Sequence, residues 1–95
     1  MSEVSPVVDN EAARRFELSI DGRLAELVYD RDGDRLVLLH TGVPDELEGR
    51  GLGGILVAAA VERAVEEGLT VVPQCPFARR WLRRHPEVAS KVTIR

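Results

Sequence analysis

The stretch "ELEGRGLGG", Glu46 to Gly54, holds four glycines and runs straight into the apolar segment Ile55 to Val61. The first N–H groups of a helix have no intrahelical partner, and the helix dipole is positive at that end. A glycine-rich approach therefore lets an anion such as a pyrophosphate sit directly on main-chain donors. Gly49, Gly51 and Gly54 also satisfy G-x-G-x-x-G, the dinucleotide-binding fingerprint, so the flanking sequence has to decide between loop types.

Upstream, Phe16, Leu18 and Ile20 alternate with Glu17 and Ser19, the two-residue period of a half-buried strand. Asp21-Gly22 predicts a tight hairpin turn into a second strand, Arg23 to Arg31, and Asp32-Gly33-Asp34 turns the chain again. The third strand, Arg35 to Val43, contains the run Leu36-Val37-Leu38-Leu39, which predicts a central strand covered on both faces. Pro44 ends it, and the acidic connection Asp45 to Glu48 leads into the glycines. Met1 to Ala13, polar and without period, reads as a frayed lead-in, with one domain over residues 14–95.

Downstream, alanines support a helix from Leu52 to Glu67 that Gly68 terminates. Thr70 to Val72 predicts a brief buried strand. A second helix runs from Phe77 to Arg84, with Pro76 suited to its first position and Cys75 near its N-cap. The tail beyond Pro86 is ambiguous, and Val92 to Ile94 could add an edge strand. The fold class is α/β in the α+β sense: a mixed, mainly antiparallel sheet with two helices.

Two loop types fail on these flanks. A dinucleotide fold needs a strand ending in the glycines and an acidic residue about 20 positions further on, where this chain reads Thr70-Val71-Val72-Pro73-Gln74. A phosphate-binding P-loop needs G-x-x-x-x-G-K-[ST], and both the lysine and the hydroxyl are missing.

The element order resembles the GNAT superfamily of acetyl-CoA-dependent N-acetyltransferases. Its [Q/R]-x-x-G-x-[G/A] motif aligns with Glu48-Gly49-Arg50-Gly51-Leu52-Gly53. "HTGVPDELEGRGLGGILV" followed by "VVPQCPFARRWLRRHPE" is similar to the compact subgroup that lacks the usual N-terminal helices. The resemblance covers roughly residues 15–88. Glu48 departs from the pattern, because a carboxylate beside a pyrophosphate repels it. Either Glu48 turns away and only its N–H is used, or affinity falls, with Arg50 offsetting the charge.

The resemblance implies acetyl-CoA as cofactor, with the diphosphate on the loop Glu48, Gly49, Arg50, Gly51, Leu52, Gly53 and Gly54. The pantetheine arm would lie along Thr41, Gly42 and Val43, where a backbone N–H would polarise the thioester carbonyl. The acceptor is then a small-molecule amine or a protein lysine. Such an amine is mostly ammonium at neutral pH and needs a base, for which His40 is the first candidate, with Glu46 and Glu48 behind it. A histidine hydrogen-bonded within the sheet is the plain alternative.

The tyrosine acid common in GNAT enzymes cannot be carried over, because Tyr29 falls on the second strand. Cys75 is the candidate acid or nucleophile, since a helix N-terminus lowers a thiol pKa; a buried inert cysteine is the alternative. Phe77 and Trp81 form an apolar seam on the second helix. Arg79, Arg80, Arg83 and Arg84 form either a solvated face or a contact for coenzyme phosphates. A non-catalytic acyl-CoA-binding or protein-interaction module on the same fold remains the competing function.

Composition narrows the classes further. Ninety-five residues suffice for one core, and 44% hydrophobic with 31% charged residues is ordinary for a globular chain. A net charge of −3 predicts no nucleic-acid partner, since that activity leaves a basic footprint. One cysteine allows no internal disulfide, and no leader or membrane span is evident, so the expectation is a cytoplasmic protein, monomer or homodimer. No metal site is expected.

Overall fold

A computed structural model describes residues 7–95. Five strands form one sheet in chain order: β1 (Val8–Asn10), β2 (Arg15–Ile20), β3 (Arg23–Asp32), β4 (Arg35–Gly42) and β5 (Thr70–Pro73). The first four pair antiparallel and β5 joins β4 in parallel. That parallel step requires a crossover, supplied by helix α1 (Leu52–Glu67); α2 (Pro76–Arg84) and the short α3 (Pro86–Ala89) follow β5.

Two glycine turns set the register. Asp21 and Gly22 both have positive φ, 52° and 75°, the type I′ geometry whose twist matches the strands it joins. At the β3–β4 hairpin only Gly33 has positive φ, 61°, so glycine carries the strained position of a II′-like turn.

The alternation read from the sequence then decides which face is buried. Phe16, Leu18, Ala25, Leu27, Tyr29, Leu36, Leu38 and Val71 share one face and pack under Leu56, Val57, Ala60, Val61 and Ala64 of α1. Each leucine withdrawn from water there contributes about 1.5–3 kcal/mol. Helices α2 and α3 pack beside α1, so all helices lie on the same side of the sheet. The buried set is wholly apolar among the described residues.

Three expectations change. Val8–Asn10, expected to belong to the frayed lead-in, forms the edge strand β1, and Tyr29 Oη donates to Asp9 at 2.6 Å. Met1 to Pro6, the rest of that lead-in, lies outside the described residues. The run Leu36 to Leu39 is not covered on both faces. Register slips between Val28 and Tyr29, so that Val28 faces His40 while Tyr29 faces Leu38; Leu39 is the extra residue of a β-bulge and is 42% exposed. The tail contributes α3, a third helix, and Ile94 makes a parallel bridge with Val71 on the outer side of β5.

Candidate active site

The glycine segment divides into two pairs with different duties. Gly49 and Gly51 have φ of 83° and 76°, the left-handed region, and a methyl group on either would meet nothing within 4 Å. They bend the chain onto the mouth of α1, where Gly51 is the N-cap. Gly53 and Gly54 are helical and serve packing: a methyl on Gly53 would lie 2.7 Å from Phe77 Cζ, and one on Gly54 would lie 2.9 Å from Trp81 Cε2. The Phe77–Trp81 seam expected to be core therefore docks α2 against the first turn of α1.

No side chain caps α1 and its first turn holds no acidic residue, so the N-terminal donors of a 16-residue helix are left to face outward. They open onto a cavity of about 560 Å³ lined by Thr41, Val43, Leu47, Glu48, Gly49, Gly51, Leu52, Gly53 and Phe77. Most of the expected cofactor contacts thus converge. Arg50 is exposed and outside the lining, Gly54 is turned to Trp81, and Gly42 faces the opposite side of the sheet. Uncapped donors, glycine approach and an adjoining apolar-lined groove fit a long ligand with an anionic end. Glu48 has less to offer than expected, because its N–H already donates to Asp45 O at 3.2 Å.

Beside the cavity, β4 and β5 part company. Their pairing ends at Leu38 and Pro73, and the N–H groups of Gln74 and Cys75 both donate to Leu38 O, at 3.0 and 2.9 Å. The chain then turns into α2, so Leu39 to Gly42 have β3 as their neighbour on one side and no β5 on the other. The β3–β4 bulge at Leu39 falls one residue past the end of that ladder.

Cys75, the N-cap of α2, is 4% exposed and its Sγ lies 3.3 Å from Thr41 Oγ1. Thr41 lines the cavity, which places the thiol one side chain behind the wall. Burial pushes the thiol up. The Thr41 hydroxyl and the N–H groups of Ala78 and Phe77 at the mouth of α2 outweigh it and hold the thiol below its ordinary value. No formed cap hydrogen bond accompanies this, so the influence is that of nearby dipoles.

His40 is exposed and points to the side of the sheet away from Thr41 and Cys75. The two catalytic candidates therefore stand on opposite faces, at the border where β5 has peeled away. Glu46, a secondary base candidate, is exposed and 3.5 Å from Arg23. Tyr29 sits in the core against Phe16, and burial followed by its bond to Asp9 raises its pKa well above the ordinary phenol value. It is absent from the cavity lining.

Arg79 donates to the carbonyls of Pro73 and Gln74, both at 3.3 Å, and ties α2 to the end of β5; Arg80, Arg83 and Arg84 are exposed. A second cavity of about 520 Å³ runs along the outer edge of β5, between Val72, Arg79, Arg83 and Ile94. It has no glycine donors and lies away from the mouth of α1. Among the described residues no cluster of His, Cys, Asp and Glu has the arrangement of a metal site. No helix there is long and apolar enough to cross a membrane.

Known proteins resemble this chain in sequence and in fold. The family model "GCN5-related N-acetyl-transferase" matches residues 15–92. Protein NATD1 of Mus musculus is 36% identical over 76 residues, 77% of this chain and 69% of that protein; for NATD1 of Homo sapiens the figures are 36%, 77% and 67%. The NMR structure of a GCN5-like protein from Staphylococcus aureus superposes with a TM-score of 0.70 at 31% identity, covering 100% of this chain and 93% of that one. With its strand order, β4–α1–β5 crossover and glycine-led helix, the chain belongs to the GCN5-related N-acetyltransferase family.

Proposed function

We propose that this protein transfers an acetyl group from acetyl-CoA to an amine. In this reading the diphosphate rests on the main-chain donors at the mouth of α1, and the pantetheine arm follows Thr41 to Val43 along the unpaired border of β4. The observation that carries it is the meeting of uncapped α1 donors with the open end of the β4–β5 ladder in one cavity of about 560 Å³. Family membership supports the same chemistry.

Bound there, acetyl-CoA would supply an activated acyl carbonyl. The chain's residues have three tasks: hold the phosphates, polarise the carbonyl with a fixed main-chain N–H near Gly42 or Val43, and accept a proton from the incoming amine. His40 is the base in this reading. Cys75, held below the ordinary thiol range, is a candidate to return a proton to the leaving thiolate or to take up the acetyl group. The acceptor is a small amine or a protein lysine, and in this reading the enzyme works in the cytoplasm as a monomer or homodimer.

One observation favours a second reading, a non-catalytic acyl-CoA-binding module. Tyr29 is committed to Asp9 and Cys75 lies behind Thr41, so neither is a cavity-lining acid. A thiol-release assay over an amine library, run beside calorimetry with acetyl-CoA, separates the two. Saturable binding with amine-dependent thiol release supports the enzyme, and binding without release supports the module. Absence of binding overturns both.

A further inference from the structure

Residues of β4 alternate between the helix-covered face and a face that no helix covers among the described residues. Thr41 belongs to the first; His40 and Gly42 belong to the second. On that open face Glu26 of β3 stands opposite Gly42, and Val28 stands opposite His40, which makes Glu26 and His40 diagonal neighbours. A methyl group on Gly42 would lie 3.5 Å from His40 Nε2 and 3.6 Å from Glu26 Oε2. A carboxylate oxygen and an imidazole nitrogen thus flank a position with no side chain of its own.

The hydrogen bonding leaves that oxygen available. Glu26 Oε1 accepts from Arg15 Nη1 at 3.0 Å, and Arg15 Nε is bonded to Glu17, which also accepts from Asn10 Nδ2 at 3.1 Å. Oε2 of Glu26 has no hydrogen-bond partner among the described residues. One guanidinium is shared by two carboxylates, which leaves the group with a net negative charge. Glu26 is also partly shielded, with 28% of its side chain exposed. Charge-assisted bonds to a shielded carboxylate are stronger than those to neutral acceptors.

We propose that Glu26 is the acceptor-binding residue: its Oε2 and His40 Nε2 together receive a primary alkylammonium over Gly42, on the open face of the sheet. The proposal rests on the acetyltransferase reading of this border. Because β5 ends at Pro73, a nitrogen over Gly42 can meet a thioester on the Thr41 side around the free border of β4, without crossing the sheet. The ammonium N–H bond breaks and its proton goes to His40 Nε2. The freed nitrogen lone pair forms the N–C bond, the C–S bond breaks, and the second proton that the nitrogen sheds on becoming an amide goes to the leaving coenzyme thiolate, which departs as the thiol. Glu26 stays ionised throughout and selects cationic alkylamines over uncharged ones.

The test is Glu26→Gln, which keeps the shape and removes the charge. With N-acetyl-lysine methylamide as acceptor, KM should rise about tenfold or more, as expected for one bond to a charged group. Acetyl-CoA affinity and KM for an uncharged aromatic amine, which do not call on the Glu26 charge, should be retained. Equal KM values for the charged amine in both proteins overturn the proposal. A readout without turnover is amide chemical shifts during titration of the coenzyme-free protein with N-acetyl-lysine methylamide. Saturating shifts at Glu26, His40 and Gly42 are expected in the wild type and lost in the variant. Their absence from the wild type, or persistence in the variant, overturns the proposal while leaving acetyl-CoA uptake, and the glycine-loop reading, standing. Wild-type protein that takes up no acetyl-CoA overturns that broader reading instead.

Discussion

Trp81 occupies the space that a side chain at Gly54 would need: a methyl there would sit 2.9 Å from Cε2 of the indole. The ring is held in place by stacking on His85, with centroids 3.9 Å apart, while His85 Nδ1 lies 2.8 Å from Trp81 O. Gly54→Ala should therefore destabilise the fold. The strain of about 1–3 kcal/mol from overpacking is offset only in part by the roughly 0.5–1 kcal/mol that alanine gains in a helix. In a Trp81→Leu background the same change should become neutral or stabilising, which urea denaturation of the four proteins checks.

Gly51→Ala should behave differently. Nothing stands within 4 Å of the added methyl, but φ of 76° costs a side chain about 1–2 kcal/mol. We predict a loss of that size with Trp81 fluorescence unchanged, together with weaker acetyl-CoA binding by calorimetry, because the backbone must shift to relieve the strain.

Tyr29 gives a prediction at alkaline pH. Its pKa is raised by burial and by Asp9, so its contribution to stability is complete below the unfolded phenol value of about 10. It is lost as pH rises from there toward the folded value, since only the unfolded chain can then ionise it. Tyr29→Phe should remove this alkaline decline. It should also cost about 1–2 kcal/mol at neutral pH through the lost bond to Asp9, which keeps Arg63 at 3.3 Å. Denaturation midpoints against pH measure both effects.

Thr41→Val should raise the Cys75 thiol pKa. Burial opposes the thiolate, and the Thr41 hydroxyl is the leading influence that favours it. The thiolate ultraviolet absorbance against pH should move to higher pH in the variant. An unchanged curve would mean that the α2 N–H groups alone set the value.

How far the sequence carried these conclusions follows from the range of the forces involved. Asp21-Gly22, the alternation of Phe16 and Leu18, the alanine-rich α1 and Pro76 at the start of α2 are local signals, and each element formed where it was expected. β1 was hidden because three half-exposed residues acquire their conformation from pairing with β2 and from the Tyr29–Asp9 bond, twenty positions apart. Leu38-Leu39 read as double burial, because a bulge and a fully covered strand leave the same apolar run. That Gly53 and Gly54 must also be small to admit Phe77 and Trp81 could not be read until α2 was in place against them. Glu26 could not be singled out beside His40, since only the β3–β4 register sets it across from Gly42. His40 and Cys75 were candidates by type and position, but that they stand on opposite faces depends on the bulge.

The central claim is that the main-chain donors at the mouth of α1 receive the diphosphate of acetyl-CoA. It is tested most directly by titrating labelled protein with acetyl-CoA and following backbone amide chemical shifts. Saturable binding with the largest changes at Gly49 to Gly54, reduced by Gly51→Ala, is the predicted result. Absence of saturation, or changes centred on the β5-edge cavity near Arg83 and Ile94, would contradict it.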